Sequence, residues 1–295
     1  MKVSFVSVIL NPSEVISPSG VPMKNRSFAL WSTSSLMFVL NACSAAMTVP
    51  TSSSVPSQEP SPTNGSLPVT PVASAEGNST AVPLEDTLAA HTVMFNTADG
   101  ATISGELYGS GKTAVIFSVM GDCTPGWREF AQLTAAQGYM ALTYQWRGCK
   151  TNSVDDVLIR KFVEDARAAI AFAREQGVER IILAGASLGG CASAKLAAES
   201  GASGLIVLAS PPAIPQWDFE IQSADLDTEI PKLFITAEND DTVPPDATRA
   251  LYDLAAEPKE WQTYPGSAHG TELFEGESKS ALQIRILEFI QGIEK

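Results

Sequence analysis

Histidine is nearly missing from this chain. Only His91 and His269 occur among 295 residues, so any imidazole-dependent proton transfer has two candidates. No His/Cys cluster has metal-ligand spacing, and neither a metal nor a cofactor is expected. Basic residues are scarce as well, 19 against 33 acids, for a formal net charge of −14. With no basic patch and no interleaving of basic and aromatic residues, nucleic-acid binding is disfavoured. An acidic surface instead keeps a protein soluble and repels anionic polymers and lipid headgroups. The apolar stretches of the N-terminal region are too short and too polar for a stable transmembrane helix.

What the first ninety residues do contain reads as an address. Residues 1–22 show no periodicity and include Asn11-Pro12 and Ser17-Pro18-Ser19-Gly20. They are read as an upstream extension, with translation beginning at Met23. From there Met23-Lys24-Asn25-Arg26 precedes the apolar stretches Phe28-Ala29-Leu30-Trp31 and Leu36-Met37-Phe38-Val39-Leu40, the charged and apolar parts of an export signal spanning 23–43. It ends in Leu40-Asn41-Ala42-Cys43-Ser44, which resembles the bacterial lipobox despite the imperfect Asn41. That likeness implies lipidation at Cys43 and an exported, membrane-anchored bacterial lipoprotein; plain signal cleavage near Ala45 or Ala46 is the alternative. Residues 44–90, rich in Ser, Thr, Pro, Val and Ala, lack periodicity and almost all aromatics, and are expected to form a disordered tether.

From His91 to the C-terminus the pattern changes. Two alternating strands joined by a turn lead into an apolar strand at 113–119. A helix follows near 127–137, then a strand at 139–144. A longer helix is expected over 154–176, with Phe162, Ala166, Ala169, Ile170 and Phe172 at helical spacing. Strands at 180–184, 204–210, 232–236 and 260–264 alternate with helices around 190–198 and 246–256 and one from about Lys279. Such alternation predicts an α/β domain over 91–295, a mostly parallel central sheet with helices on both faces. Its site should lie at the carboxyl ends of the strands.

One segment carries chemistry. Gly185-Ala186-Ser187-Leu188-Gly189 sits between the strand Arg180-Ile181-Ile182-Leu183-Ala184 and an Ala-rich helix start. A serine on a sharp strand-to-helix turn, with glycines two residues either side, has its hydroxyl held out at the sheet edge. The Leu188 amide then falls at the helix N-terminus, where developing negative charge is stabilised. A serine hydroxyl needs a base, and the base needs an orienting acid. His91 reads as an exposed strand-start residue, so His269, in the turn-rich loop Tyr264-Pro265-Gly266-Ser267-Ala268-His269-Gly270, is the base. Glu238, Asp240 and Asp241, just past the strand at 232–236, compete for the acid; the spacing acid-x-x-Val-Pro favours Asp240.

Together these residues resemble the α/β-hydrolase superfamily, and within it the small, nearly lidless branch of dienelactone-hydrolase-like and cutinase-like esterases. Matching segments are the elbow 185–189, Ala237-Glu238-Asn239-Asp240-Asp241-Thr242-Val243-Pro244, Ser267-Ala268-His269-Gly270, the hairpin-like 99–108 and Tyr144-Gln145-Trp146-Arg147-Gly148-Cys149. The resemblance implies an α/β-hydrolase fold and hydrolysis of small-molecule or polymeric carboxylic esters through Ser187, His269 and Asp240. Oxyanion N–H groups would come from Leu188 and from the loop after the third strand. There the family's His-Gly is replaced by Ser118-Val119-Met120-Gly121-Asp122, which leaves that donor open among Met120, Gly121 and Asp122. Neighbouring third and fourth strands would bring Cys123 and Cys149 together at the rim for a disulfide, with Cys191 buried in the elbow helix; three unpaired thiols are the alternative. The 211–230 segment is too short for a cap, so an open site is expected, with Trp217 and Phe219 lining the cleft or packing a loop onto the sheet edge. Peptide or acyl-peptide hydrolysis, and a surface-anchored binding protein without catalysis, are the other functions this pattern allows.

Overall fold

A computed structural model describes residues 89–150 and 153–294. Cys43, the signal-like segment and all but the last two residues of the expected tether lie outside the described residues. Within them, a central sheet is built from β1 (His91–Asn96), β2 (Thr102–Tyr108), β3 (Thr113–Ser118), β4 (Met140–Tyr144), β5 (Arg180–Ala186), β6 (Gly204–Leu208), β7 (Lys232–Ala237) and β8 (Lys259–Tyr264). Every residue of β3, β4, β6 and β7 is buried. Continuous apolar runs of this kind are what parallel strands covered on both faces require. β1 and β2 alternate instead, because they form an antiparallel hairpin at one edge.

The strands run in the order β1-β2-β4-β3-β5-β6-β7-β8. From β4 onward neighbouring strands are parallel, whereas β2 pairs antiparallel with β4. β4 therefore lies on one side of β3 and β5 on the other. Such a reversal opens a crevice beyond the carboxyl ends of β3 and β5. Helices α1 (Arg128–Ala136), α2 (Phe162–Glu175), α3 (Leu188–Leu196), α4 (Pro245–Leu254) and α5 (Lys279–Ile293) connect or follow the strands. On one face Phe117 packs on Trp127 and Phe130, which meet Phe274. On the other, Phe95 stacks on Phe172 at 5.0 Å and Tyr144, Trp146 and Phe162 form an edge-to-face chain. No helix among the described residues is long and apolar enough to cross a membrane.

The helix expected over 154–176 begins later, at Phe162. Ser153–Val154 pair antiparallel with Cys149–Lys150, and the Asp155 carboxylate then accepts the N–H groups of Val157 and Leu158, each at 3.1 Å. An Asp side chain that bonds its own following backbone offers the chain a turn in place of a helix.

A buried ion pair fastens this region to the sheet. Asp165, on α2, has a fully buried side chain; it accepts the Arg147 Nε–H at 2.6 Å and the Arg147 backbone N–H at 2.8 Å. The same guanidinium reaches Asp99, in the β1–β2 turn, at 2.6 Å. Burial pushes the Asp165 carboxyl above the usual carboxylate range, against the downward pull of its bonds from Arg147. Removing one partner of a buried pair leaves the other charge uncompensated. Asp165→Ala should therefore lower stability by about 3 kcal/mol or more, read as a fall in the urea unfolding midpoint.

Candidate active site

Ser187 joins β5 to α3 with φ 53° and ψ −119°, a conformation that a non-glycine residue holds only when its surroundings impose it. Those surroundings are mostly backbone. A Cβ at Gly185 would fall on the Gly189 carbonyl, one at Gly189 on the Ser118 carbonyl, and one at Gly190 on the Ser210 hydroxyl. Strand, helix and neighbouring β3 thus approach too closely for side chains, which is why glycine occupies these positions. The Ser187 N–H donates to the Leu208 carbonyl at 2.8 Å, and the Ser210 hydroxyl donates to the Ser187 carbonyl at 2.8 Å. From Ile181 to Ala194 every residue is buried except Ser187. The turn presents one hydroxyl to solvent and nothing else.

His269 and Asp240 meet at the same end of the sheet. Asp240, just past β7, is 3% exposed and His269, past β8, 8%. The Asp240 Oδ1 accepts the Thr242 and Val243 N–H groups at 3.0 and 2.9 Å, and its Oδ2 lies 2.8 Å from His269 Nδ1. An ionised carboxylate can only accept, so Nδ1 carries the proton and Nε2 keeps its lone pair for a second donor. Glu272 completes the mounting by accepting the His269 backbone N–H at 2.9 Å. Glu238 and Asp241 are exposed, and His91 stands exposed at the start of β1. Neither acid reaches the imidazole.

The serine and histidine segments pack directly together. A Cβ at Gly270, which follows His269, would come within 2.7 Å of the Met120 sulfur and 3.3 Å of the Cβ of Ala186, which precedes Ser187. Met120, on the loop after β3, therefore lies beside both segments. A Cβ at Gly121 would be 3.4 Å from Leu188 side-chain carbons, so this loop runs over the first residue of α3. The N–H groups of a helix's first turn have no intrahelical acceptor, and the Leu188 amide is one of them. Leu188, Met120 and Gly121 are thus brought around Ser187.

Cys123 is disulfide-bonded to Cys149 across the loops that follow β3 and β4. Cys191 is buried in α3, where its thiol donates to the Pro211 carbonyl at 3.3 Å and burial pushes its pKa up to about 12. Trp217 and Phe219 lie against Phe162, with ring centroids 6.2 and 4.9 Å away; packing accounts for them. Sequence reasoning did not single out Ser210, Glu272 or the Trp146 indole. A serine after a buried strand, or a glutamate in a helical turn, is too common to signal a role that arises only from tertiary approach.

No protein-family model matches the chain, and no match is found among curated proteins. Solved structures do resemble it. The structure of DcsB in complex with its substrate analogue is 17% identical, with a TM-score of 0.60 over 69% of this chain and 99% of that one. The Pyrococcus furiosus esterase Pf2001 is 15% identical, with a TM-score of 0.56 over 72% of this chain and 96% of that one. The esterase domain of a Rhodothermus marinus protein is 18% identical, with a TM-score of 0.55 over 68% and 96%. Identity this low speaks for the fold alone. The chain has the α/β-hydrolase fold, and its elbow, acid and histidine lie at the end of the sheet where that fold carries its sites.

The close approach at the elbow is directly measurable. Gly189→Ala should cost about 1–3 kcal/mol through overpacking, seen as a lower unfolding midpoint. Gly276→Ala, where an added Cβ meets nothing within 4 Å, should change it by less than about 0.5 kcal/mol.

Proposed function

We propose that the protein is a serine hydrolase acting on carboxylic esters. The observation that carries this reading is the buried Asp240–His269 pair, 2.8 Å long, set beside a serine that a backbone-imposed turn holds at the surface. Ser187 Oγ attacks the ester carbonyl while His269 Nε2 takes its proton. The tetrahedral oxyanion is held by the Leu188 N–H and an N–H of the Met120–Gly121 stretch. The C–O bond to the alcohol then breaks, and the imidazolium returns its proton to the departing oxygen. Water repeats the sequence on the acyl-enzyme and frees Ser187. Asp240 fixes the Nδ1–H tautomer and offsets the imidazolium charge.

An open site favours bulky or polymeric esters. Between Ser210 and Ile230 the chain forms only short helical turns and a ribbon, Ala213–Ile214 against Phe219–Glu220, too little for a cap domain. The same triad would also cleave peptides or acyl-peptides, and panels of both substrate types separate the two. The catalytic domain would work from a lipidated Cys43 on the outer side of a membrane. Metabolic labelling with a fatty-acid analogue should mark the chain and be lost in Cys43→Ala; labelling retained in that variant excludes this anchor.

A fluorophosphonate probe tests the central claim on the full chain. It should label Ser187, as located by mass spectrometry, and Ser187→Ala should lose both label and esterase activity. Asp240→Asn should lower kcat by about 10⁴-fold with the fold intact. A folded protein that takes no label has no activated nucleophile, and the surface-binding reading would then replace this one.

A further inference from the structure

A backbone N–H serves as an oxyanion donor only if its loop is held still before the charge develops. The loop after β3 is held in an unusual way. Met120 to Cys123 form a turn closed by the Cys123 N–H on the Met120 carbonyl at 3.1 Å. Trp146 to Cys149, after β4, form a second turn closed by the Cys149 N–H on the Trp146 carbonyl at 2.9 Å. The two turns are joined at both ends. At one end the Trp146 indole N–H donates to the Met120 carbonyl at 3.2 Å; at the other, Cys123 and Cys149 are covalently bonded.

Neither tie is loose. Trp146 is 1% exposed, with Tyr144 edge-on at 5.1 Å and Phe162 edge-on at 6.2 Å. Cys123 holds φ 65°, a left-handed conformation that a non-glycine residue keeps only under constraint. The direction of the first tie matters more than its strength. In a trans peptide the N–H points opposite to the carbonyl, and the Met120 carbonyl is turned to Trp146, on the β4 side of β3. The Gly121 N–H of the same peptide is therefore turned to the other side, where β5 delivers Ser187 and Leu188.

We propose that Trp146 and the Cys123–Cys149 disulfide are positioning groups for the oxyanion hole, setting the Met120–Gly121 peptide through the two ends of this clamp. The inference rests on the serine-hydrolase reading. It assigns to the disulfide a part in turnover beyond general stabilisation, and to the Trp146 hydrogen bond a part beyond pairing a buried indole N–H.

The test uses the full chain and two variants. Trp146→Phe keeps an aromatic ring against Tyr144 and Phe162 and deletes the donor together with part of the buried ring volume; the inhibition constant of a trifluoromethyl ketone separates the loss of the donor from a loss of packing, which would lower the melting temperature alone. Cys123→Ala combined with Cys149→Ala deletes the covalent tie. Each is assayed on a p-nitrophenyl ester and against a trifluoromethyl ketone, whose adduct with Ser187 places an oxyanion in the hole. Each variant should lower kcat on the order of tenfold, less than outright loss of a donor costs, with KM changed by no more than about twofold. The ketone's inhibition constant should rise by the same factor as kcat falls. Combining the changes should cost more than the product of the two, because each tie maintains the loop when the other is cut. Unchanged kcat and ketone affinity in either folded variant would overturn the role of that tie, as would a loss confined to the melting temperature. A wild-type chain that takes no fluorophosphonate label would overturn the hydrolase reading and this inference together; a labelled, active wild type with indifferent variants overturns this inference alone.

Discussion

The close passage of three backbones at the β5–α3 elbow is the constraint on which the site depends. Ser118 at the end of β3, Gly185 at the end of β5 and Gly189–Gly190 at the start of α3 meet at distances that exclude side chains. Ser187 has no freedom in that geometry: its N–H is bonded to β6 and its carbonyl to Ser210. The strain in its backbone is thus held by the whole parallel sheet rather than by the turn. The same crossing puts the amide end of α3 beside the loop after β3, so the Ser187 hydroxyl and the amides proposed to face an oxyanion are set by one packing event.

Two buried carboxylates show how differently one chemical group is used. Asp165 binds the backbone and guanidinium of one arginine and fastens α2 to the sheet edge. Asp240 divides its oxygens between two jobs. Oδ1 closes the turn into α4 by accepting two backbone N–H groups, which fixes the carboxylate plane and leaves Oδ2 for the imidazole. The tautomer of His269, and with it the availability of Nε2, follows from a loop hydrogen-bond pattern.

That pattern explains why the carboxylate that meets His269 was legible in the sequence. The spacing Asp-x-x-Val-Pro works because the second and third residues after Asp240 supply the N–H groups its Oδ1 needs, and Pro244-Pro245 then starts a helix. The elbow was legible for a similar reason, since its glycines answer a local steric demand. The inner parallel strands were legible because burial on both faces leaves largely apolar runs, whereas the edge strand β8, Lys259–Tyr264, is mostly half-buried. The start of α2 was not: apolar periodicity continues into 154–161, where the pairing of Ser153–Val154 with Cys149–Lys150 and the Asp155 side chain, bonding forward to Val157 and Leu158, turn the backbone aside. Ser210, Glu272 and Trp146 were hidden for a further reason. Their partners are main-chain atoms brought near by the fold, and main-chain atoms leave no residue signature.

A site with so slight a cover must be ordered from beneath. Where a cap closes over bound substrate, excluded water strengthens every electrostatic contact inside. Here a two-stranded ribbon and short helical turns stand in that position, and their aromatics, Trp217 and Phe219, pack on Phe162. On the proposed mechanism, the donors facing a developing oxyanion work in a wetter environment, where each is worth less unless it is already in place. That places the burden on rigidity below the surface: glycines that admit backbone against backbone, a serine and a glutamate that fix main-chain groups, and two turns pinned at both ends. An open surface and a rigid floor go together, because a site without a cap domain gains most from being ordered before the substrate arrives.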